Sequence, residues 1–100
     1  MNSIKIWLDD IRIAHKGFSW CHSVNEAKAL IEKCEKEGLV IELLDLDHDL
    51  GEYVSDGGDG IKLIDWLAET KRIYKINLHT MNPVGRENMQ REIDRYLKNT

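Results

Sequence analysis

Three short apolar runs, residues 4–8, 39–44 and 75–78, each stop directly at acidic or imidazole side chains. They are too short for helices and rich in Ile, Val and Leu, so they read as strands. A fourth, weaker strand is expected over residues 18–21. Stretches with helical spacing separate them. Ser23-Val24-Asn25-Glu26 has the form of a capping box, and the helix it opens sets Ala27, Leu30, Ile31 and Cys34 on one face before Gly38 stops it. A second helix beginning near Asp59 or Gly60 buries Ile61, Ile64, Leu67 and Ala68. Asn82 and Pro83 fit the cap and first turn of a third, whose stripe is Met89, Ile93, Tyr96 and Leu97. Strand, strand, helix, strand, helix, strand, helix predicts an α/β fold. The expectation is a small three-layer parallel sheet of about four strands with three helices, in a single domain over residues 1–100. The helix normally found between the first two strands is missing, and residues 11–17 read as a loop.

Composition narrows the function. One hundred residues with 42% apolar and 32% charged content support one modest core. A net charge of −4 argues against general nucleic-acid binding, which needs clustered Lys and Arg. No run approaches the roughly 20 apolar residues of a membrane span. Asp9 and Asp10 interrupt any signal-peptide layout, which predicts a cytoplasmic protein whose Cys21 and Cys34 stay as thiols. The edges of so short a sheet are compatible with a homodimer. Residues 51–60, holding four of the seven glycines, read as the longest loop.

Sites in open α/β sheets form beyond the carboxyl ends of the strands. There stand Asp9 and Asp10, then Asp47, His48 and Asp49, then His79. Adjacent carboxylates repel and call for a cation or for Arg12 nearby. Asp47 is the first choice of metal ligand. Alternation sends Asp47 and Asp49 one way and His48 the other, leaving His48 or Asp49 to orient the loop. Asp45 reads as a buried polar strand position without a role. His79 suits proton transfer near neutral pH, and the helix start after Asn82 suits an anion such as phosphate. His15 and His22 read as solvated or locally bonded. No phosphate-cradling Gly-x-x-x-x-Gly-Lys run and no Ser or Cys nucleophile with an orienting base is present.

Leu8-Asp9-Asp10-Ile11-Arg12, Leu46-Asp47-His48-Asp49-Leu50-Gly51 and His79-Thr80-Met81-Asn82-Pro83-Val84-Gly85, in this order and spacing, resemble the cyclic-phosphate processing receiver-like domain family. The resemblance implies a truncated receiver or flavodoxin-like sheet with an acidic metal pocket. It implies processing of a cyclic phosphate, such as the 2′,3′-cyclic phosphate at RNA ends, by a metal-dependent phosphoesterase. In that reading Asp9, Asp10 and Asp47 hold a divalent cation, Mg²⁺ or Mn²⁺. His79, His48 and Asp49 are the catalytic candidates, and Asn82, Arg12 and Gly85 the phosphate-binding ones. The partner is a small phosphorylated ligand or an RNA end. The receiver's fifth strand and its lysine have no counterpart, which argues against aspartyl-phosphate switching. The alternative from another class is a non-catalytic receiver-like signalling module, binding a phosphorylated ligand or a protein.

Overall fold

The computed structural model describes residues 2–98, and the side chains of residues 2–96. In chain order the elements are β1 (Ser3–Leu8), β2 (Phe18–Cys21), α1 (Val24–Lys36), β3 (Val40–Leu46), a 3₁₀ turn (Gly51–Asp56), α2 (Ile61–Glu69), β4 (Ile76–Leu78) and α3 (Pro83–Lys98). All strand pairs are parallel, in the order β2-β1-β3-β4. The strand bounds expected from the apolar runs shift inward by one residue at β3 and by one or two at β4, because Leu39 and Tyr74 pack on the core without entering the ladder.

The crossovers explain where the helices sit. From β2 the chain passes over β1 through α1 to reach β3, and from β3 through α2 to β4. Right-handed crossovers that step in the same direction along a sheet place their helices on the same face. Accordingly Ile6, Leu8, Leu44, Leu46 and Leu78 share one buried cluster with Ile31 of α1, Leu67 of α2 and Met89 of α3. Pairing skips Glu42, a bulge that lets Ile41, Leu44 and Leu46 all face this core. Leu97, which shares the α3 stripe by spacing, lies outside the described side chains.

Among the described residues, no helix covers the opposite face. Trp7, 1% exposed, is its centre. The loop between β1 and β2 supplies the third layer: His15 packs on the Trp7 ring at 4.4 Å between centroids, Phe18 meets it edge-on at 5.7 Å, and the indole N–H donates to the Arg12 carbonyl at 2.9 Å. The receiver-like sheet is thus kept with a loop where a helix would otherwise lie.

Caps fix the helix starts. Ser23 Oγ accepts the Glu26 N–H at 3.1 Å, while the Glu26 carboxylate receives the N–H of His22. Asn82 Oδ1 accepts the Gly85 N–H at 3.0 Å in the first turn of α3. The glycine-rich stretch is more ordered than a loop reading implies, because Asp56 ties the 3₁₀ turn to Ser23 Oγ (2.6 Å) and to Asn25 Nδ2 (3.1 Å) at the start of α1. Cys21 and Cys34 are free and buried, and burial pushes the Cys21 thiol up to about 12, so it is no nucleophile at neutral pH.

Gly60 sits where α2 begins against the strand end. Its N–H donates to the His48 carbonyl at 2.8 Å, and a Cβ there would lie 1.9 Å from the Asp47 carbonyl oxygen. Gly60→Ala must therefore push α2 away from β3, and we expect a loss of about 1–3 kcal/mol, the usual cost of overpacking. Urea denaturation measures it; an unchanged midpoint would show that the contact yields freely.

Candidate functional site

The period-two rule of strands carries Trp7 to Asp9, Asp45 to Asp47 and Asn77 to His79 on one face, and Trp7, Asp45 and Asn77 are in register across β1, β3 and β4. The face is the helix-free one. Every acidic or imidazole group that leaves it therefore gathers at the sheet's carboxyl edge above Trp7.

His79 is the junction. Its ring stacks on Trp7 at 3.9 Å with 7° between planes. Nδ1 lies 2.7 Å from Asp45 Oδ1 and Nε2 lies 2.9 Å from Asp9 Oδ2. Asn77 Nδ2 donates to both oxygens of the buried Asp45 at 3.2 Å. Asp9 is divided in function: Oδ1 accepts the N–H groups of Ile11 and Arg12 at 2.9 and 2.8 Å, shaping the turn, and Oδ2 faces His79. Trp20 Nε1 donates to the Asp9 carbonyl at 2.7 Å, fixing the backbone as well. Burial works to raise the Asp9 pKa, but the Arg12 and Ile11 N–H groups and His79 outweigh it and hold the carboxyl below its ordinary value.

A neutral imidazole carries one ring proton and can donate to only one of its two carboxylates. With that proton on Nδ1 and given to Asp45, Nε2 turns its lone pair toward Asp9. Asp9, Asp47 and His79 each offer one ligand atom, all within 4.8 Å of one another. A carboxylate behind a histidine that shares an ion with further carboxylates is a recurring metal-site arrangement. Two oxygens and one imidazole nitrogen suit a divalent cation of the Mn²⁺ type and tolerate Mg²⁺ less well.

Beside this set opens a cleft of about 410 Å³, walled by Asp9, Asp10, Arg12, Asp47 and Asp49. Asp10 faces it together with Asp47 but is not one of the three convergent donors. Burial, followed by the charges of Asp9 and Asp47, raises the Asp10 pKa above its ordinary value of 3.8. Gly51 closes the wall at φ +54°, where a Cβ would come within 2.5 Å of Asp10 Oδ2.

Asp47 and Asp49 both line the cleft while His48 turns behind it. The His48 ring lies against Gly85, whose Cβ, if present, would be 2.5 Å from it. His48 Nδ1 meets Asp49 Oδ1 at 2.8 Å, and Asn82 Nδ2 donates to Asp49 at 3.1 Å. The His48 hydrogen bond is the largest reason that the Asp49 carboxyl stays below its ordinary value, with Asn82 adding to it against burial. His48, Asp49 and Asp59 form a second group of donors within 4.8 Å. Arg12 gives one N–H to the His79 carbonyl at 3.0 Å and stays exposed at the cleft. Asn82 and Gly85 are thus occupied in holding the first turn of α3, Asp49 and His48 together.

Two contributors have no role in the sequence reading. Asp45 orients His79, and Trp7 supports its ring. The spacing Asp45-Leu46-Asp47 beside Asn77-Leu78-His79 carried the signal, since alternation puts all four on one face. His15 and His22 are packed against aromatic rings, Trp7 for the first and Trp20 for the second.

The family model of the cyclic-phosphate processing receiver domain matches residues 4–95. The chain belongs to this family. The match covers the four strands except for Ser3 at the start of β1, so the Asp9–His79–Asp45 junction lies wholly inside the receiver domain. No curated protein and no solved structure matches the chain. Among the described residues, no helix is long and apolar enough to cross a membrane.

The raised pKa of Asp10 has a stability consequence. Folding disfavours its charged form, a penalty that is complete above the folded pKa and vanishes below the unfolded value near 3.8. Without divalent cation, Asp10→Asn should be more stable than the parent at pH 7, with the gain shrinking as pH falls through that window. Denaturation at both ends of the window tests this; a variant no more stable at pH 7 would contradict the penalty that burial and the charges of Asp9 and Asp47 place on the Asp10 carboxylate.

Proposed function

We propose that this receiver domain is a metal-dependent phosphoesterase that opens a cyclic phosphate ester, such as a 2′,3′-cyclic phosphate. The observation that carries the reading is His79 held by Asp45 with its second nitrogen facing Asp9 and Asp47, beside a cleft large enough for a phosphate ester. Asp9, Asp47 and His79 would hold the cation, with Asp10 on the flank. Bound there, a divalent cation would neutralise a phosphate oxygen and offset the charge that develops during attack.

The remaining roles follow from which atoms are free. Asp49 is kept ionised by His48 and Asn82 and faces the cleft, so its carboxylate suits orienting the attacking water. His48 positions Asp49 from behind. Both nitrogens of His79 are engaged by carboxylates, which favours a ligand role over proton transfer. Arg12 is the basic side chain on the cleft wall and can meet a phosphate oxygen with the N–H groups that His79 does not use. Water then adds to phosphorus, one ring P–O bond breaks, and the leaving alkoxide takes up the proton that the attacking water gives up.

The test is ³¹P NMR of a nucleoside 2′,3′-cyclic phosphate with protein and Mn²⁺ or Mg²⁺. The expected result is conversion to a monoester, stopped by chelation and by Asp47→Asn, with Asp45→Asn weakening metal affinity about 10–100-fold, so that more metal is needed for the same rate. Conversion that survives chelation or Asp47→Asn would overturn the assignment of the site. Metal-dependent shifts without conversion would instead support a phosphate-binding signalling module.

A further inference from the structure

A second concavity of about 350 Å³ adjoins the acidic cleft and shares Asp10, Ile11 and Gly51 with it; its own walls are Glu52 and Tyr53. We propose that this compartment is a nucleobase subsite in which Tyr53 is the stacking surface, and that the ligand is a free nucleoside cyclic phosphate. The proposal rests on the reading of the cleft as a cyclic-phosphate site and adds the part of the ligand that lies beyond the phosphate.

Tyr53 is built to be a rigid platform. Its N–H donates to the carbonyl of the fully buried Leu50 at 2.9 Å, and the 3₁₀ turn that carries it is tied down through Asp56. Its ring is backed by His22 at 5.3 Å between centroids, and His22 stacks in turn on Trp20 at 4.5 Å. Trp20 is the residue whose indole N–H holds the Asp9 carbonyl. An aromatic series thus runs from the backbone of the cation set to a ring that stays 41% exposed. Nothing in the core requires that exposure, nor the 80% exposure of Ile11 on the neighbouring wall.

The chemistry around the ring selects the ligand. Tyr53 and Ile11 offer planar and apolar contact, which suits a base and not a second phosphate. Glu52, when ionised, only accepts hydrogen bonds and so matches the amino or imino N–H groups on a base edge. Among the described residues, Arg12 is the one basic group on either wall, against Asp9, Asp10, Asp47, Asp49 and Glu52. A polynucleotide continuing past the site would add phosphates with no cations to meet them. The free mononucleotide is therefore favoured over an RNA end.

The experiment compares three substrates under the same Mn²⁺ concentration: adenosine 2′,3′-cyclic phosphate, the base-less glycerol 1,2-cyclic phosphate, and an RNA tetranucleotide ending in the same cyclic phosphate. We expect kcat/KM for the adenosine compound to exceed that for the glycerol compound by about tenfold or more, the usual scale of one base–aromatic stack. Tyr53→Ala should bring that ratio close to one, Tyr53→Phe should retain it, and the tetranucleotide should be the poorer of the two RNA-type substrates. A ratio near one in the parent, or a ratio that Tyr53→Ala leaves intact, overturns the subsite while the cyclic-phosphate reading stands. A tetranucleotide preferred over the mononucleotide overturns the choice of ligand. If none of the three cyclic phosphates is turned over, the reading of the cleft falls and the subsite falls with it.

Discussion

The contact of one imidazole with two carboxylates, Asp45 Oδ1 at 2.7 Å and Asp9 Oδ2 at 2.9 Å, is the constraint on which the sheet's carboxyl edge depends. It joins β1, β3 and the end of β4 through side chains at the point where the ladder stops. Asp9, Asp10, Asp45 and Asp47 would otherwise stand as neighbouring carboxylates, two of them almost wholly buried, with mutual repulsion to relieve. His79 relieves part of it and is itself held flat by Trp7. The stack explains a large, fully buried aromatic on the sheet face that none of the described helices covers. A smaller residue at that position would leave the ring of His79 free to tilt and its contacts with Asp45 and Asp9 free to lengthen.

Losing a helix between the first two strands has a second effect. The β1–β2 loop can fold directly over Trp7, and its first residues turn on Asp9 Oδ1. The Arg12 carbonyl is thereby held by the Trp7 indole, and the Arg12 side chain is drawn onto the His79 carbonyl and the cleft. Packing of the third layer and construction of the site are the same set of contacts. The first β-to-loop junction is consequently where stability and function are least separable in this domain.

Much of this was legible in the residues. Short apolar runs between capped helices gave the α/β order, and the strand ends located the cleft at Asp9, Asp47 and Asp49. Alternation also foretold that Asp47 and Asp49 would point to one side, the cleft, and His48 away from it. The role of Asp45 was hidden because a single acidic residue inside an apolar strand reads as a tolerated polar group until its neighbour in register is known; once Asn77 and His79 lie beside it, its purpose is plain. The engagement of Asn82 with Asp49 and of Gly85 with the His48 ring depends on how α3 docks, which no local pattern encodes. The order of the 51–56 turn was likewise invisible, since it comes from Asp56 reaching back more than thirty residues to the start of α1.

The central claim is that Asp45 orients His79 so that its outer nitrogen, with Asp9 and Asp47, binds a divalent cation. Electron spin-echo envelope modulation of the Mn²⁺-loaded protein reads the ligand atoms directly. The account predicts ¹⁴N modulation from a coordinated imidazole, lost in His79→Gln and retained in His48→Gln. Bound Mn²⁺ with oxygen ligands alone, or nitrogen modulation that survives His79→Gln, would contradict it.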